Sequence, residues 1–258
     1  MRLAAIDLDG TLLRSDGTIS QRSRDAIRAV RDKGIVVVIV TARGPSSVAE
    51  LAHDAGIEGS AICSNGALII DLASGAVIRE RLIETEFAMR LVHELRERLP
   101  GIAFAVEHAS FTHEPGFATD WELPPETRIA DALELLDGPA AKLLMLHEGH
   151  ELDAILAVAR EVAGDAATVV LSGNIAVEVT AVGVNKAAGL ADVAEELGIE
   201  AKDVVAFGDY PNDVPMLAWA GRGVAVANAH AEVLAIADEV TASNNEDGVA
   251  LVLEQLTV

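Results

Sequence analysis

Asp7-Leu8-Asp9-Gly10-Thr11-Leu12 is the stretch on which the fold turns. It closes the apolar run Leu3 to Leu8, which reads as a strand, and so puts two carboxylates, two residues apart, at that strand's C-terminal end. Open α/β sheets carry their ligands and catalytic groups at that edge. In regular strand geometry Asp7 and Asp9 would share a face, and Gly10 lets the backbone leave the strand sharply. An Asp-Gly turn beside a solvated acid is the plainer reading. It leaves Asp7 unexplained, an acid placed straight after Ala4, Ala5 and Ile6.

Outward from this segment, strand and helix signals alternate. Ser20 can cap a helix running to about Lys33, with Gly34 as its stop. Ile35 to Val40 is apolar on both faces, as in the centre of a parallel sheet. Pro45 and Ser46 open a helix to about Ala55, and Ala61 to Ser64 is another short strand. The end of the chain alternates in the same way, with helix Lys186 to Leu197, strand Val204 to Phe207, helix Asp213 to Ala220, strand Val224 to Ala227 and helix Ala231 to Ala237. This is the pattern of a doubly wound, Rossmann-like parallel sheet.

The middle differs. Two helical stretches, Glu84 to Arg98 and Glu151 to Ala163, lie among the strand candidates Ala103 to Glu107, Lys142 to His147, Thr168 to Ser172 and Ala176 to Thr180. Pro100, Pro115, Pro124, Pro125 and Pro139 fall between them. The expected organisation is a core of residues 1–81 and 185–258 with an α+β insert over 82–184.

The 258 residues are 51% hydrophobic but only 3% aromatic, so a sizeable core must be built from Ala, Val, Leu and Ile. The longest aliphatic run, Ile35 to Val40, is too short to span a bilayer, and no basic-then-apolar leader opens the chain. The expectation is a soluble, cytoplasmic protein. A net charge of -22 argues against nucleic acid and anionic membrane as partners, and requires cations of its own wherever a phosphorylated ligand binds. The single cysteine, Cys63, excludes an internal disulfide and reads as a small buried hydrophobe.

Three further segments carry chemistry. Thr41-Ala42-Arg43 follows the buried strand, where a hydroxyl and free backbone N–H groups could hold phosphate oxygens, or where Thr41 could simply end the strand. Lys186 opens a helix after Val182-Gly183-Val184-Asn185; against the helix dipole it needs an anion nearby, unless it is an ordinary surface lysine. Gly208-Asp209-Tyr210-Pro211-Asn212-Asp213 puts two more carboxylates and an amide at a strand-to-helix turn, where helix capping would explain Asn212 or Asp213 but not Asp209. Each segment lies at the C-terminal end of a core strand or the start of the next helix. So many carboxylates cannot converge without a cation, and hard oxygen ligands select Mg²⁺.

In order and spacing these segments resemble the four motifs of the haloacid dehalogenase superfamily, in particular the Cof-type phosphatases with a large inserted cap. Asp7-Leu-Asp-Gly-Thr is similar to the first motif, Thr41 to the second, Lys186 to the third and Gly208-Asp-x-x-Asn-Asp213 to the fourth, and Ser64-Asn65-Gly66-Ala67 to a recurrent segment before the cap. Val226-Ala-Asn228-Ala departs from the Met-Gly-Asn-Ala of many relatives, a difference expected to touch no motif residue. The resemblance implies an Asp7 nucleophile that forms an aspartyl-phosphate and an Asp9 acid/base. It implies Mg²⁺ held by the Asp7 carboxylate, the Asp9 backbone carbonyl and Asp209, with Asp213 supporting a metal-bound water or Lys186. Phosphoryl oxygens would be held by Lys186, Thr41, Asn212 and the amides of Leu8 and Ala42. The substrate would be a small phosphorylated metabolite such as a sugar phosphate, read by the cap; Glu107-His108-Ala-Ser110-Phe111-Thr112-His113-Glu114 is the candidate segment, rich in hydrogen-bonding groups. A phosphomutase of the same superfamily keeps the same Asp pair, and a phosphoglycolate-type phosphatase shares all four motifs. A non-catalytic phospho-ligand binding protein would not require an acid/base at Asp9.

Overall fold

The structure is a computed structural model and describes residues 1–117, 127–171 and 176–257. The expected Ser172, Pro124 and Pro125 lie outside the described residues. The chain divides into two compact units, Met1–Arg79 with Asn185–Val258, and Glu80–Val184.

In the first unit β1 (Leu3–Ile6) is buried at every residue, because parallel neighbours flank it on both sides. Helix α1 (Gln21–Asp32) begins at Ser20, whose hydroxyl accepts from the Ser23 N–H at 3.0 Å. Strand β2 (Val36–Val40) follows, then a 3₁₀ turn Pro45–Ser47 and α2 (Val48–Ala55), then β3 (Ser60–Cys63). The next two strands, β4 (Leu68–Asp71) and β5 (Val77–Glu80), have no counterpart among the expected elements. Because β4 runs antiparallel to β3, the sheet is not parallel throughout.

The second unit holds α3 (Thr85–Arg98), β6 (Ala103–Glu107), β7 (Phe111–His113), α4 (Ala132–Leu135), β8 (Lys142–Leu146), α5 (Leu152–Ala163), β9 (Ala167–Leu171) and β10 (Val177–Ala181). Its sheet has the order β7-β6-β8-β10-β9 with antiparallel pairing. Leu91, Val92 and Leu95 of α3 and Ile155 and Ala159 of α5 pack with Phe104, Val106, Leu143, Met145, Val177 and Val179. By strand alternation Glu107, Lys142, Glu178 and Thr180 stand on the other face of that sheet.

The chain then returns to the first unit through α6 (Lys186–Glu196), β11 (Val204–Gly208), α7 (Val214–Trp219), β12 (Arg222–Ala225), α8 (Ala231–Ile236), β13 (Glu239–Val240) and α9 (Gly248–Gln255). The core sheet has the order β13-β12-β11-β1-β2-β3-β4-β5. Ile6 lies level with Phe207 on one side and Ile39 on the other, so Asp7, Gly208 and Val40 leave the same sheet edge together.

Candidate active site

The backbone after β1 makes a wide turn, with the Leu12 N–H donating to the Asp7 carbonyl and the Leu13 N–H to the Leu8 carbonyl, at 3.2 and 2.8 Å. Gly10 occupies the left-handed region at φ +77°, and a Cβ there would lie 2.3 Å from an Asp209 carboxylate oxygen, so both conformation and space demand glycine. The turn keeps Asp7 under the sheet edge, 4% exposed.

Lys186, 2% exposed at the first position of α6, links the motifs. Its Nζ donates to Asp7 Oδ1 and to Asp213 Oδ1, both at 2.6 Å. The other Asp213 oxygen accepts from the Asp209 and Tyr210 N–H groups at 3.0 Å, so both oxygens of that carboxylate are engaged. Asp209 Oδ1 accepts from the Thr11 hydroxyl at 2.9 Å. Asp7, Asp209 and Asp213 offer oxygens that all lie within 4.8 Å of one another.

This crowding shifts the titrations. Burial, with Asp213 and Asp209 adding to it, raises Asp7 well above the ordinary carboxylate range against the opposing pull of Lys186. Burial and Asp213 push Asp209 up to about 6. Burial pulls the Lys186 ammonium down, but Asp213 and Asp7 outweigh it, and the net shift is upward.

Asp9 stands apart. Its carboxylate is more than half exposed and is gripped by Arg43, Nε to Oδ2 at 2.7 Å and Nη2 to Oδ1 at 2.6 Å. The Asp9 side chain is therefore not among the three clustered acids, and its expected metal contact rests with its backbone carbonyl. Thr41 is fully buried, and its Oγ1 accepts from the Arg43 N–H at 3.1 Å, which leaves its own hydrogen to donate elsewhere. Leu8 begins the turn after Asp7, and Ala42 lies between Thr41 and Arg43. Asn212 Nδ2 donates to Asn65 Oδ1 at 2.9 Å, while Asn212 Oδ1 is buried without a partner.

Comparison with known proteins agrees with this geometry. A family model of haloacid dehalogenase-like hydrolases matches residues 4–253. The 5-amino-6-(5-phospho-D-ribitylamino)uracil phosphatase YcsE of Bacillus subtilis (strain 168) is 34% identical over 97% of this chain and 93% of its own length. The stress response protein YhaX of the same organism is 32% identical over 98% of this chain and 92% of its own. A solved phosphatase of the HAD enzyme superfamily from Bacteroides thetaiotaomicron is 26% identical and superposes with a TM-score of 0.83 over 99% of this chain and 94% of that one. The chain belongs to the haloacid dehalogenase-like hydrolases. Within that family it is a Cof-type member and a hydrolase of phosphatase class.

A metal ion fits the site of this hydrolase on two observations. The donors are all hard oxygens, and the buried Asn212 Oδ1 lacks the donor that a coordinated water would supply. Asp7 and Asp209 could hold such an ion by their carboxylates and Asp213 from alongside.

Several contacts escape a motif reading. Arg43 appears in the sequence only as the neighbour of Thr41, and its grip on Asp9 spans 34 positions. Asn228, which Val226-Ala-Asn228-Ala shares with Met-Gly-Asn-Ala, reaches the first motif: its Nδ2 donates to the Gly10 carbonyl at 2.8 Å and its Oδ1 accepts from the Asn244 N–H at 2.9 Å. Its segment braces the first turn from 218 positions away.

The segment Glu107 to Glu114 is a β-hairpin rather than an open reading loop. The ring nitrogens of His108 lie 2.9 and 3.1 Å from the Pro139 and Leu135 carbonyls, and His113 Nδ1 lies 2.7 Å from the Glu114 carbonyl. Thr112 donates to the Val106 carbonyl at 2.9 Å. Glu114 accepts from Arg96, from the Phe104 N–H at 2.8 Å and from the Ala132 N–H at 2.9 Å. These groups tie the insert together internally, which removes the reason for assigning them to substrate. Among the described residues no helix is long and apolar enough to cross a membrane.

Proposed function

We propose that this hydrolase is a Mg²⁺-dependent phosphatase of small phosphorylated metabolites, sugar phosphates among them, acting through an aspartyl-phosphate on Asp7. The observation that carries the reading is the buried chain Asp7–Lys186–Asp213 with Asp209 beside it. A carboxylate held by an ammonium at a sheet edge is oriented as a nucleophile, and the same ammonium can neutralise an incoming phosphoryl group. Asp7 Oδ attacks phosphorus in line, the bond to the leaving oxygen breaks, and that oxygen takes a proton from Asp9, which serves as acid once protonated and released from Arg43. Water, deprotonated by Asp9, then attacks the phosphorus of the acyl phosphate and returns free Asp7 and inorganic phosphate. Thr41, the amides of Leu8 and Ala42, and Asn212 hold the phosphoryl oxygens. Mg²⁺ supplies charge compensation for the phosphoryl oxygens and the carboxylates. A phosphomutase would return the phosphoryl group to the sugar instead of releasing it.

Phosphate release from a metabolite panel, with Mg²⁺ and with EDTA, tests this. Release that depends on Mg²⁺ supports it; none from any substrate rules it out. Transfer to a second hydroxyl with little free phosphate selects the mutase. Asp209→Ala should lose activity and the Mg²⁺-dependent rise in Tm together; an equal rise in both proteins removes Asp209 from the ligand set.

Asp9→Asn is expected to slow the chemical step by about 10²–10⁴-fold for alkyl phosphates. The loss should shrink for aryl phosphates, whose leaving groups need no acid, where acyl-phosphate formation limits the rate. An equal loss for both classes counts against the acid role.

The insert is then the cap, and the sheet face turned away from α3 and α5 offers groups for reading the rest of the substrate. There Lys142 Nζ lies 2.9 Å from Glu178 Oε1 and 4.0 Å from Glu107 Oε2, and the Thr180 hydroxyl is buried without a partner. Lys142→Met is expected to change the ranking of sugar phosphates by kcat/KM while sparing a small aryl phosphate, whereas His108→Ala should leave that ranking as it is. The opposite pattern returns the reading role to the hairpin.

A further inference from the structure

Between β3 and β4 the chain places three consecutive residues in the left-handed region: Ser64 at φ +51°, Asn65 at +58° and Gly66 at +98°. Glycine adopts this conformation freely and asparagine tolerates it, but serine does so at a cost. Non-glycine residues held this way persist where surrounding structure over-determines them, and they cluster at functional sites. Ser64 and Asn65 are buried, and each of the three residues meets a different part of the site.

The Ser64 N–H donates to the Arg43 carbonyl at 2.9 Å and the Asn65 N–H to the Thr41 carbonyl at 3.0 Å, so the turn grips the loop after β2 at two points. The Asn65 side chain accepts from Asn212, which belongs to the turn carrying Asp209 and Asp213. Gly66 packs against the start of α6: a Cβ on it would lie 2.4 Å from the Asn185 carbonyl oxygen, and one on Gly189 would lie 3.1 Å from the Gly66 Cα. Asn185 caps the helix whose first residue is Lys186. One short turn thus registers Thr41, Lys186 and Asn212 against one another.

We infer that Asn65 is a positioning residue that fixes the orientation of the Asn212 amide for the phosphoryl group. An asparagine amide can present either its oxygen or its nitrogen on a given side. With Asn65 Oδ1 turned toward it, the Asn212 amide faces its nitrogen to Asn65, and reversing the Asn212 amide alone would set two acceptor oxygens against each other. That choice leaves the second Asn212 N–H for a phosphoryl oxygen and keeps Oδ1 as the buried acceptor found without a partner. The inference rests on the phosphatase reading of the site, but its test can be read without turnover.

Asn65→Gly allows the left-handed backbone and removes the whole side chain that meets Asn212. The Kd of inorganic phosphate in the presence of Mg²⁺, measured by calorimetry, should rise about five- to tenfold, the loss of one buried hydrogen bond. KM for an aryl phosphate should rise with it, and kcat should change less. Asn65→Ala should show the same Kd and a lower Tm, because alanine pays for the positive φ. The double variant Asn65→Gly with Asn212→Ala should bind phosphate no more weakly than Asn212→Ala alone, since Asn65 acts through Asn212. An unchanged Kd in Asn65→Gly, effects that multiply in the double variant, or an Asn65→Gly protein that does not fold overturns the inference. A wild type that binds phosphate but hydrolyses nothing defeats the phosphatase reading alone, and the calorimetric comparison still decides the role of Asn65.

Discussion

Asp7→Asn is expected to lower kcat by about 10³-fold or more while the folded protein becomes no less stable. The two effects separate because the carboxylate does different things in the resting and reacting protein. In the reaction it must form a bond to phosphorus, which an amide oxygen of low nucleophilicity does not do. In the resting protein it is one of three acids packed together, and burial and its neighbours already raise its pKa well above the ordinary range. Replacing it with a neutral group of the same shape removes a charge that the metal-free protein holds at a cost, and the amide oxygen can still accept from Lys186. The measurement is phosphate release and Tm on the same preparation without Mg²⁺. Activity within tenfold of wild type, with contaminating enzyme excluded, removes Asp7 as nucleophile.

What was legible in the sequence follows from how local the cause is. Asp7 and Asp209 each follow a buried apolar run, and an acid there has few explanations other than a sheet-edge site, whereas Thr41 taken alone reads equally as the end of its strand. The elements missed are those whose signal is short or ambiguous. Val77–Glu80 is exposed along its whole length and has no apolar face to betray it. Gly248–Gln255 contains an apolar run that periodicity cannot separate from a buried strand. Phe111–His113 has only three residues, and its polar groups read as ligand-binding until their partners within the insert are seen. The contacts that orient the site were illegible for a different reason. Asn212 meets Asn65 across 147 positions and Asn228 meets Gly10 across 218, pairings that no local pattern encodes. Asparagine at a turn has an adequate local explanation, so nothing in the sequence asks for a distant one.

Lys186→Met is expected to cost about 3–5 kcal/mol in stability at neutral pH without Mg²⁺, the usual consequence of removing one partner from a buried ion pair. Here one ammonium serves two carboxylates at 2.6 Å, with a third acid beside them, and methionine fills the volume while supplying no charge. The pH dependence identifies the cause. Asp209 titrates at about 6 in the folded protein against an ordinary value of 3.8, so between these values the folded state binds more protons than the unfolded one. Stability therefore falls as pH rises through that window, in wild type as well. Without the ammonium, Asp7, already raised by burial, also loses the cation that opposes that rise, so the fall should steepen and extend above pH 6. Mg²⁺ should recover much of the lost stability by mass action on the same carboxylates. It should not recover activity, because the group that orients Asp7 and meets the phosphoryl charge is gone. Thermal melts at pH 5 and pH 8, each with and without Mg²⁺, read all of this. Equal Tm values for variant and wild type at pH 8 without metal would show that Lys186 is not what holds these acids together.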